Sequence, residues 1–343
     1  MNDTMNKILI IKYGALGDVI RTSYILKGLH EKYGEPRIYW LTADRSVDLL
    51  KYNPRIFEIV TPGMNYDLLR ETTFELVISL DDEREILAGI ADLKYRKLVG
   101  ACLVDGAPAY TPEAAEWFDM GLISRFGKEQ ADLLKKNNRR EHNQILAAML
   151  DIAIDEPEFF NSTIAEARMA CMFDRGFFNI GLNSGAGGRW AAKQLPLGET
   201  VDLVERLLAL EIGGKKTRVY LLGGEDERQR HGEILSRISF DRLRDAGNDN
   251  SLTEFAAIIG QCDYVISSDS LALHLAIAQR VKNLSFYAPT SAAEIGTFGT
   301  GVKVISLADD YCSYRKEADN STITAGRIMD KFREHVKEQR GKA

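Results

Sequence analysis

Four strand-like runs in this sequence end in glycine or small polar residues, and each is followed at once by groups able to do chemistry. In KILIIKYGALGDVIR (7–21) an apolar run closes on Gly14 and Gly17, and Asp18 stands where a helical pattern begins. Glycines let a backbone approach a ligand closely, and helix starts favour anions. Asp18 is therefore readable as a helix N-cap or as a general base at the mouth of a site. NSGAGGRWAAKQLP (183–196) places Ser184 and several glycines ahead of Arg189 and Lys193. Open backbone amides with fixed positive charge suit a phosphate, although cations in a loop are commonly only solvated. In LLGGEDE (221–227), Glu225 follows two glycines, where a carboxylate accepts ribose hydroxyls or simply complements a helix dipole. ISSDSLALHLAIA (266–278) brings Ser267, Ser268, Asp269 and Ser270 to a helix start, with His274 one turn beyond Ser270 on the same face. Alone this is a capped helix with a buried histidine; opposite the other loops it is a phosphate-and-ribose contact.

The elements that position these groups alternate. KILIIKY (7–13), RIYWLT (37–42), Phe57–Val60, FELVISL (74–80) and KLVG (97–100) read as strands, with helical patterns over 18–33, around Val47–Tyr52 and from Asp82 to Leu93. Between 110 and 152 the pattern turns mainly helical and charged, and DEPEFFNST (155–163) carries turn signals that mark a domain boundary. Strand–helix alternation then restarts at FFNIGLN (177–183) and runs through TRVYLL, SLTEFAAIIGQC, DYVIS, KNLSFYAPT and VKVISL to an amphipathic helix over 322–337. Such alternation predicts parallel sheets covered by helices, in two similar α/β units. Open α/β sheets bind ligands beyond the carboxyl ends of their strands, where all four loops lie.

The bulk numbers bound the function. A chain of 343 residues is long for one core and right for two domains. With 45% hydrophobic and 27% charged residues the composition is that of a soluble globular protein. A formal net charge of -6 argues against a general nucleic-acid binder, while leaving room for a local basic patch. No apolar run reaches the ~18 residues of a membrane span. The start MNDTMNK lacks the layout of a signal peptide. Cys102, Cys171, Cys262 and Cys312 are far apart without a CxxC pair, so reduced thiols and a cytoplasmic location are expected.

With these residues in hand, the sequence resembles glycosyltransferase family 9, the ADP-heptose:lipopolysaccharide heptosyltransferases, over nearly its whole length. KYGALGDVIRTSYILKGL resembles the family's N-terminal signature, GRWAAKQLP its W-x-x-K-x-x-P region, and ISSDSLALHLAIA its Asp-Ser/Thr…His-Leu-x-x-Ala segment. It departs from the family at Tyr24, Leu271 and the Gly188–Arg189 pair, where members often carry proline, glycine and threonines. The resemblance implies an α/β GT-B fold: two Rossmann-like domains facing across a cleft, with the C-terminal helix crossing back to the first. The domains would be 1–165 for the acceptor and 170–320 for the nucleotide sugar, with 321–343 as the helix packing on the N-terminal domain. It implies inverting, metal-free transfer of a sugar, a heptose from ADP-heptose, to a hydroxyl of a glycan such as lipopolysaccharide core. By motif match Asp18 would be the catalytic base, with Gly17, Ser184, Arg189, Lys193, Glu225, Asp269, Ser270 and His274 around the donor. No cofactor and no nucleic acid would be involved. A monomer is expected, in the cytoplasm or at the inner face of its membrane, with Lys94, Arg96, Lys97, Lys135, Lys136, Arg139 and Arg140 available to an anionic acceptor or lipid surface.

Other readings stay open from the residues. A transferase using another nucleotide sugar on a soluble acceptor has the same needs. A sugar-nucleotide 2-epimerase shares the architecture but needs more cleft acids and histidines than one placed histidine among five supplies. A nicotinamide-dependent oxidoreductase lacks its GxGxxG fingerprint here, since the first loop reads Gly14-x-x-Gly17. A non-catalytic sugar-nucleotide binder has no evident use for both Asp18 and Lys193.

Overall fold

The computed structural model describes residues 6–185, 187 and 190–340. The chain forms two compact units, Met1–Phe160 and Asn161–Ala343.

In the first unit, strands β1 (Lys7–Ile11), β2 (Arg37–Leu41), β3 (Glu58–Val60), β4 (Thr73–Ser79), β5 (Lys94–Val104) and β6 (Ala107–Tyr110) form one sheet in the order β3-β2-β1-β4-β5-β6. All neighbours are parallel except β5 and β6. Ile8, Leu9, Ile10 and Ile11 are all buried, which is why β1 reads as an unbroken apolar run and not as an alternating one. Strand β5 is longer than expected because it folds into a hairpin with β6 around Asp105 and Gly106, which adopt φ of 51° and 75°. Asp-Gly is the dipeptide that such a turn favours, so the hairpin was legible and was missed.

The helix expected over 18–33 is two helices, Leu16–Thr22 and Ile25–Tyr33, with the break at Ser23 and Tyr24. The first is capped at Ala15, without a side-chain cap. Asp18 is therefore not the N-cap but the third residue of the helix.

The second unit repeats the plan with β7 (Phe178–Asn183), β8 (Glu211–Ile212), β9 (Lys215–Leu221), β10 (Leu243–Asp245), β11 (Tyr264–Ser268), β12 (Asn283–Tyr287) and β13 (Gly301–Ile305). Its order is β10-β9-β7-β11-β12-β13, all parallel, with short β8 antiparallel to β9. Numbered within each unit, and leaving β8 aside, both orders are 3-2-1-4-5-6, that of a doubly wound nucleotide-binding sheet. The reversal falls between β1 and β4 in one unit and between β7 and β11 in the other.

The last helix is Ala325–Arg340. Its apolar face, Ile328, Met329 and Phe332, is buried in the core of the second unit, against the helix Leu197–Leu208 and strands β12 and β13. His335 Nδ1 meets the hydroxyl of Tyr264 at 2.7 Å on β11. Burying such side chains contributes ~1.5–3 kcal/mol each, which ties the helix to the second unit.

Candidate active site

Each sheet reverses its strand order once; Gly17 and Asp18 in the first unit, and Lys193, Asp269, Ser270 and His274 in the second, stand in segments that follow the strands beside that reversal. In the first unit the loop after β1 carries Lys12, Tyr13, Gly14, Gly17 and Asp18, and the end of β4 faces it with Leu80 and Asp81. Lys12 Nζ donates to Asp81 Oδ1 at 2.6 Å and to the Leu80 carbonyl at 3.3 Å. The amide of Tyr13 donates to Asp81 Oδ2, and that of Gly14 lies 3.4 Å from Oδ1. Gly14 leaves room for this lysine: a Cβ there would sit 2.6 Å from Lys12 Cε and 2.7 Å from its Nζ, so Lys12 would have to shift. Asp81, with 2% of its side chain exposed, thus braces the loop from below. Sequence reasoning passed over it because an aspartate after a strand resembles any turn residue.

With its loop fixed, the helix Leu16–Thr22 holds Asp18 at its start. The carboxylate is about one-third exposed, and its Oδ1 lies 2.9 Å from Arg21 Nη2. Gly17 is buried beside it. A partly solvated carboxylate in the first turn of a helix, above a braced strand end, can accept a proton from a bound hydroxyl.

In the second unit, Lys193 ends the short turn Ala191–Lys193 and reaches across to the end of β11. Its Nζ donates to Asp269 Oδ2 and to the Asp269 carbonyl, both at 2.9 Å. His274 Nε2 lies 3.5 Å from Asp269 Oδ1. Burial by itself would push the Asp269 carboxyl up; the ammonium of Lys193, then His274, override it and hold the group well below the usual carboxylate range. Ser270 is the N-cap of the helix Leu271–Ala278, its hydroxyl 3.0 Å from that of Ser267, and Ser268 Oγ donates to the Gly185 carbonyl at 2.8 Å. Lys193, Asp269, Ser270 and His274 are therefore one constellation. The indole of Trp190 lies 5.8 Å from Lys193 Nζ and meets the Tyr314 ring edge-on.

Three other expected residues fall differently. Ser184 is buried at the end of β7, where its hydroxyl accepts from Arg230 Nε at 3.0 Å. Arg230 also donates to Thr200 Oγ1 at 2.8 Å and to the Leu195 carbonyl, so it pins the loop from behind; burial pulls its guanidinium below its usual value. Glu225 is 72% exposed and pairs with Arg228 at 2.6 Å. The buried acid of that loop is Glu227, which accepts from the amides of Gly187 and Gly224, both at 2.9 Å. A Cβ on Gly185 would stand 2.9 Å from its Oε1. The spacing Gly-x-x-Glu that lets a helix-start acid turn back on the preceding glycine was the available signal for Glu227. Arg189 lies outside the described residues.

Among the described residues no group of three or more His, Cys, Asp or Glu is gathered to hold a metal ion, and no helix is long and apolar enough to cross a membrane.

The comparisons with known proteins agree with this geometry. Residues 206–324 match the family model of glycosyltransferase family 9 (heptosyltransferase). No curated protein matches the sequence. In three dimensions the chain is similar to ADP-heptose lps heptosyltransferase II of E. coli, at 16% identity and TM-score 0.68, over 97% of this chain and 99% of that one. A glycosyltransferase family 9 protein from Veillonella parvula aligns at 14% identity and TM-score 0.76, covering 98% and 99% of the two chains. E. coli heptosyltransferase WaaC with ADP aligns at 14% identity and TM-score 0.66, covering 96% and 99%.

The fold is that of the GT-B glycosyltransferases, two Rossmann-like units in one chain. Within that class the sequence match is to glycosyltransferase family 9, and it spans β9 through β13 with Asp269, Ser270 and His274. Of the three motifs that carried the resemblance, ISSDSLALHLAIA (266–278) falls inside the matched segment, and the other two lie before it.

Proposed function

We propose that this chain is an inverting, metal-independent transferase that moves a heptose from ADP-heptose to a hydroxyl of a glycan, with lipopolysaccharide core as the acceptor class. The observation that carries the reading is the Lys193–Asp269–His274 constellation at the strand reversal of the family-matched unit. A cation is held there beside a glycine loop and a helix start, the set of groups a diphosphate needs.

In the reaction, the acceptor oxygen forms a bond to the anomeric carbon while the bond from that carbon to the diphosphate oxygen breaks. The electron pair leaves with the nucleoside diphosphate, through an oxocarbenium-like transition state. Asp18 takes the acceptor's proton. Lys193, with the amides at the Ser270 helix start and Arg189, neutralises the charge that builds on the leaving group. Removing one such donor costs on the order of 10²–10³-fold in comparable oxyanion sites. Asp269 and His274 hold Lys193 in place before the donor arrives, and Glu225 accepts the ribose hydroxyls. Gly17 and Ser184 let the backbone close on the substrates. Cationic side chains and helix dipoles take the place of a metal, so EDTA leaves the rate unchanged. The work is done in the cytoplasm, on an acceptor that is soluble or reached at the inner face of the membrane.

A thermal-shift panel of ADP, GDP, UDP, CMP and NAD tests the donor. A ligand at 100 times its dissociation constant adds ~2.7 kcal/mol of stability. The reading expects a shift with ADP and ADP-heptose alone. A shift with UDP or GDP keeps the transferase and changes the sugar nucleotide; a shift with NAD alone overturns the reading.

A further inference from the structure

The ion pair between Asp18 and Arg21 has no evident role in stability. An (i, i+3) pair whose acid is one-third exposed contributes only ~0.2–0.5 kcal/mol. Yet Arg21 itself is only 14% exposed, so the chain has kept a cation largely out of water next to the proposed base. The guanidinium carbon stands 5.6 Å from the ring centroid of Trp117. The indole in turn meets the ring of His142 edge-on, with centroids 4.6 Å apart and planes at 72°. Trp117 belongs to the short helix Ala115–Phe118, and its neighbour Phe118 stacks on Tyr110 at 5.4 Å. Tyr110 donates to Asp119 Oδ1 at 2.6 Å. His142 opens the helix His142–Leu150, behind a capping box of Glu141 and Gln144. A flexible arginine is thus held between a carboxylate and an aromatic face that is itself fixed from two sides.

Such a row is what a general base requires. A carboxylate in a first turn has freedom at χ1 and χ2, and a displacement of ~1 Å at a reacting group can cost about 10²-fold in rate. A planar guanidinium that grips one carboxylate oxygen and lies against an indole fixes the carboxylate's direction better than an ammonium would, because its donors are rigid and it stacks. We propose that Arg21 is a positioning residue for Asp18, with Trp117 as the platform that orders Arg21. The inference rests on the reading of Asp18 as the base.

The test uses the full chain with ADP-heptose and heptose-free lipopolysaccharide core oligosaccharide, following ADP release. Arg21→Leu is expected to lose about 10²-fold in kcat, with the acceptor KM within about threefold and the ADP-induced thermal shift unchanged. Arg21→Lys recovers kcat to within about tenfold of the parent, since it restores charge without the fork. Trp117→Phe stays within about threefold, while Trp117→Leu falls about tenfold. Groups that act as a unit are not additive, so Asp18→Asn with Arg21→Leu is expected to be no slower than Asp18→Asn alone. Arg21→Leu within threefold of the parent in kcat, or affecting KM alone, overturns the positioning role. Should Arg21→Leu fail to fold, equal rates for Trp117→Phe and Trp117→Leu overturn it instead. An active Asp18→Asn overturns the base reading and this inference with it; an inactive Asp18→Asn beside a fast Arg21→Leu overturns this inference only.

Discussion

Each unit carries a lysine–aspartate pair across the reversal of its strand order, and the two pairs do different work. Lys12 and Asp81 join the loop after β1 to the end of β4 at 2.6 Å; Lys193 and Asp269 join the loop after β7 to the end of β11 at 2.9 Å. In the first pair the acid is 2% exposed, and it also receives backbone amides from the loop. Its lone pairs are used, and the lysine has no reason to leave. In the second pair the exposures are 16% and 14%, and His274 stands on the far oxygen of Asp269. The two lysines are alike in exposure, 13% and 16%; the difference is that Asp269 is more open than Asp81 and keeps a second side-chain partner. The same residue pair at the same topological place is a brace in one unit, and in the proposed mechanism it is the donor contact in the other. What separates them is how many of the acid's contacts are backbone.

Breaking the two pairs sharpens this contrast. Lys193→Met removes the charge that the proposed mechanism sets against the leaving group, and kcat/KM is expected to fall on the order of 10²–10³-fold in steady-state assay. Asp81→Ala leaves Lys12 without its main partner in a largely buried setting. Stability of the first unit is expected to drop by on the order of 3 kcal/mol, or roughly 6–12 °C in Tm by calorimetry, with the ADP-induced shift of the second unit retained. If Asp81→Ala abolished ADP binding, or Lys193→Met acted through unfolding alone, the two pairs would not differ as described.

Acid separates them more gently. Asp269 has its folded-state pKa depressed by Lys193 and His274 against the upward push of burial. Its charge therefore contributes stability that is present above the unfolded value of ~3.9 and is lost as pH falls below it toward the folded value. Tm measured from pH 6 down to pH 3 is expected to fall more steeply for the parent than for Asp269→Asn; equal slopes would remove the pair's electrostatic role. The smallest effect is expected at Glu225, which is exposed and already paired. Glu225→Gln should raise the donor KM by a few-fold, about the ~1 kcal/mol of a single hydrogen bond, with kcat unchanged.

The legibility of the sequence follows the same division. Apolar runs such as KILII and YVISS announce buried parallel strands because both faces of the sheet are covered. Lys193, Asp269 and His274, taken from two separate motifs, lie together at the end of β11. Glu227 was announced by its Gly-x-x-Glu spacing and overlooked, whereas Asp81 and Arg230 were not legible in the same way. Each acts on backbone far away in sequence, through 67 to 69 residues of separation for Asp81 and 35 for the contact of Arg230 with Leu195. No local pattern encodes such a partner. Strand β10, three residues long, was missed because a short edge strand carries little apolar signal, while the hairpin partner β6 was announced by its Asp-Gly turn and overlooked.

The central claim is that the first unit carries the base and the second the donor. Transfer from ADP-heptose to heptose-free core oligosaccharide by Asp18→Asn, measured beside the ADP-induced thermal shift of the same protein, tests it most directly. The account predicts a loss of about 10²–10⁴-fold in transfer, with the ADP shift unchanged. Transfer above about a tenth of the parent rate, or loss of the ADP shift together with activity, would contradict it.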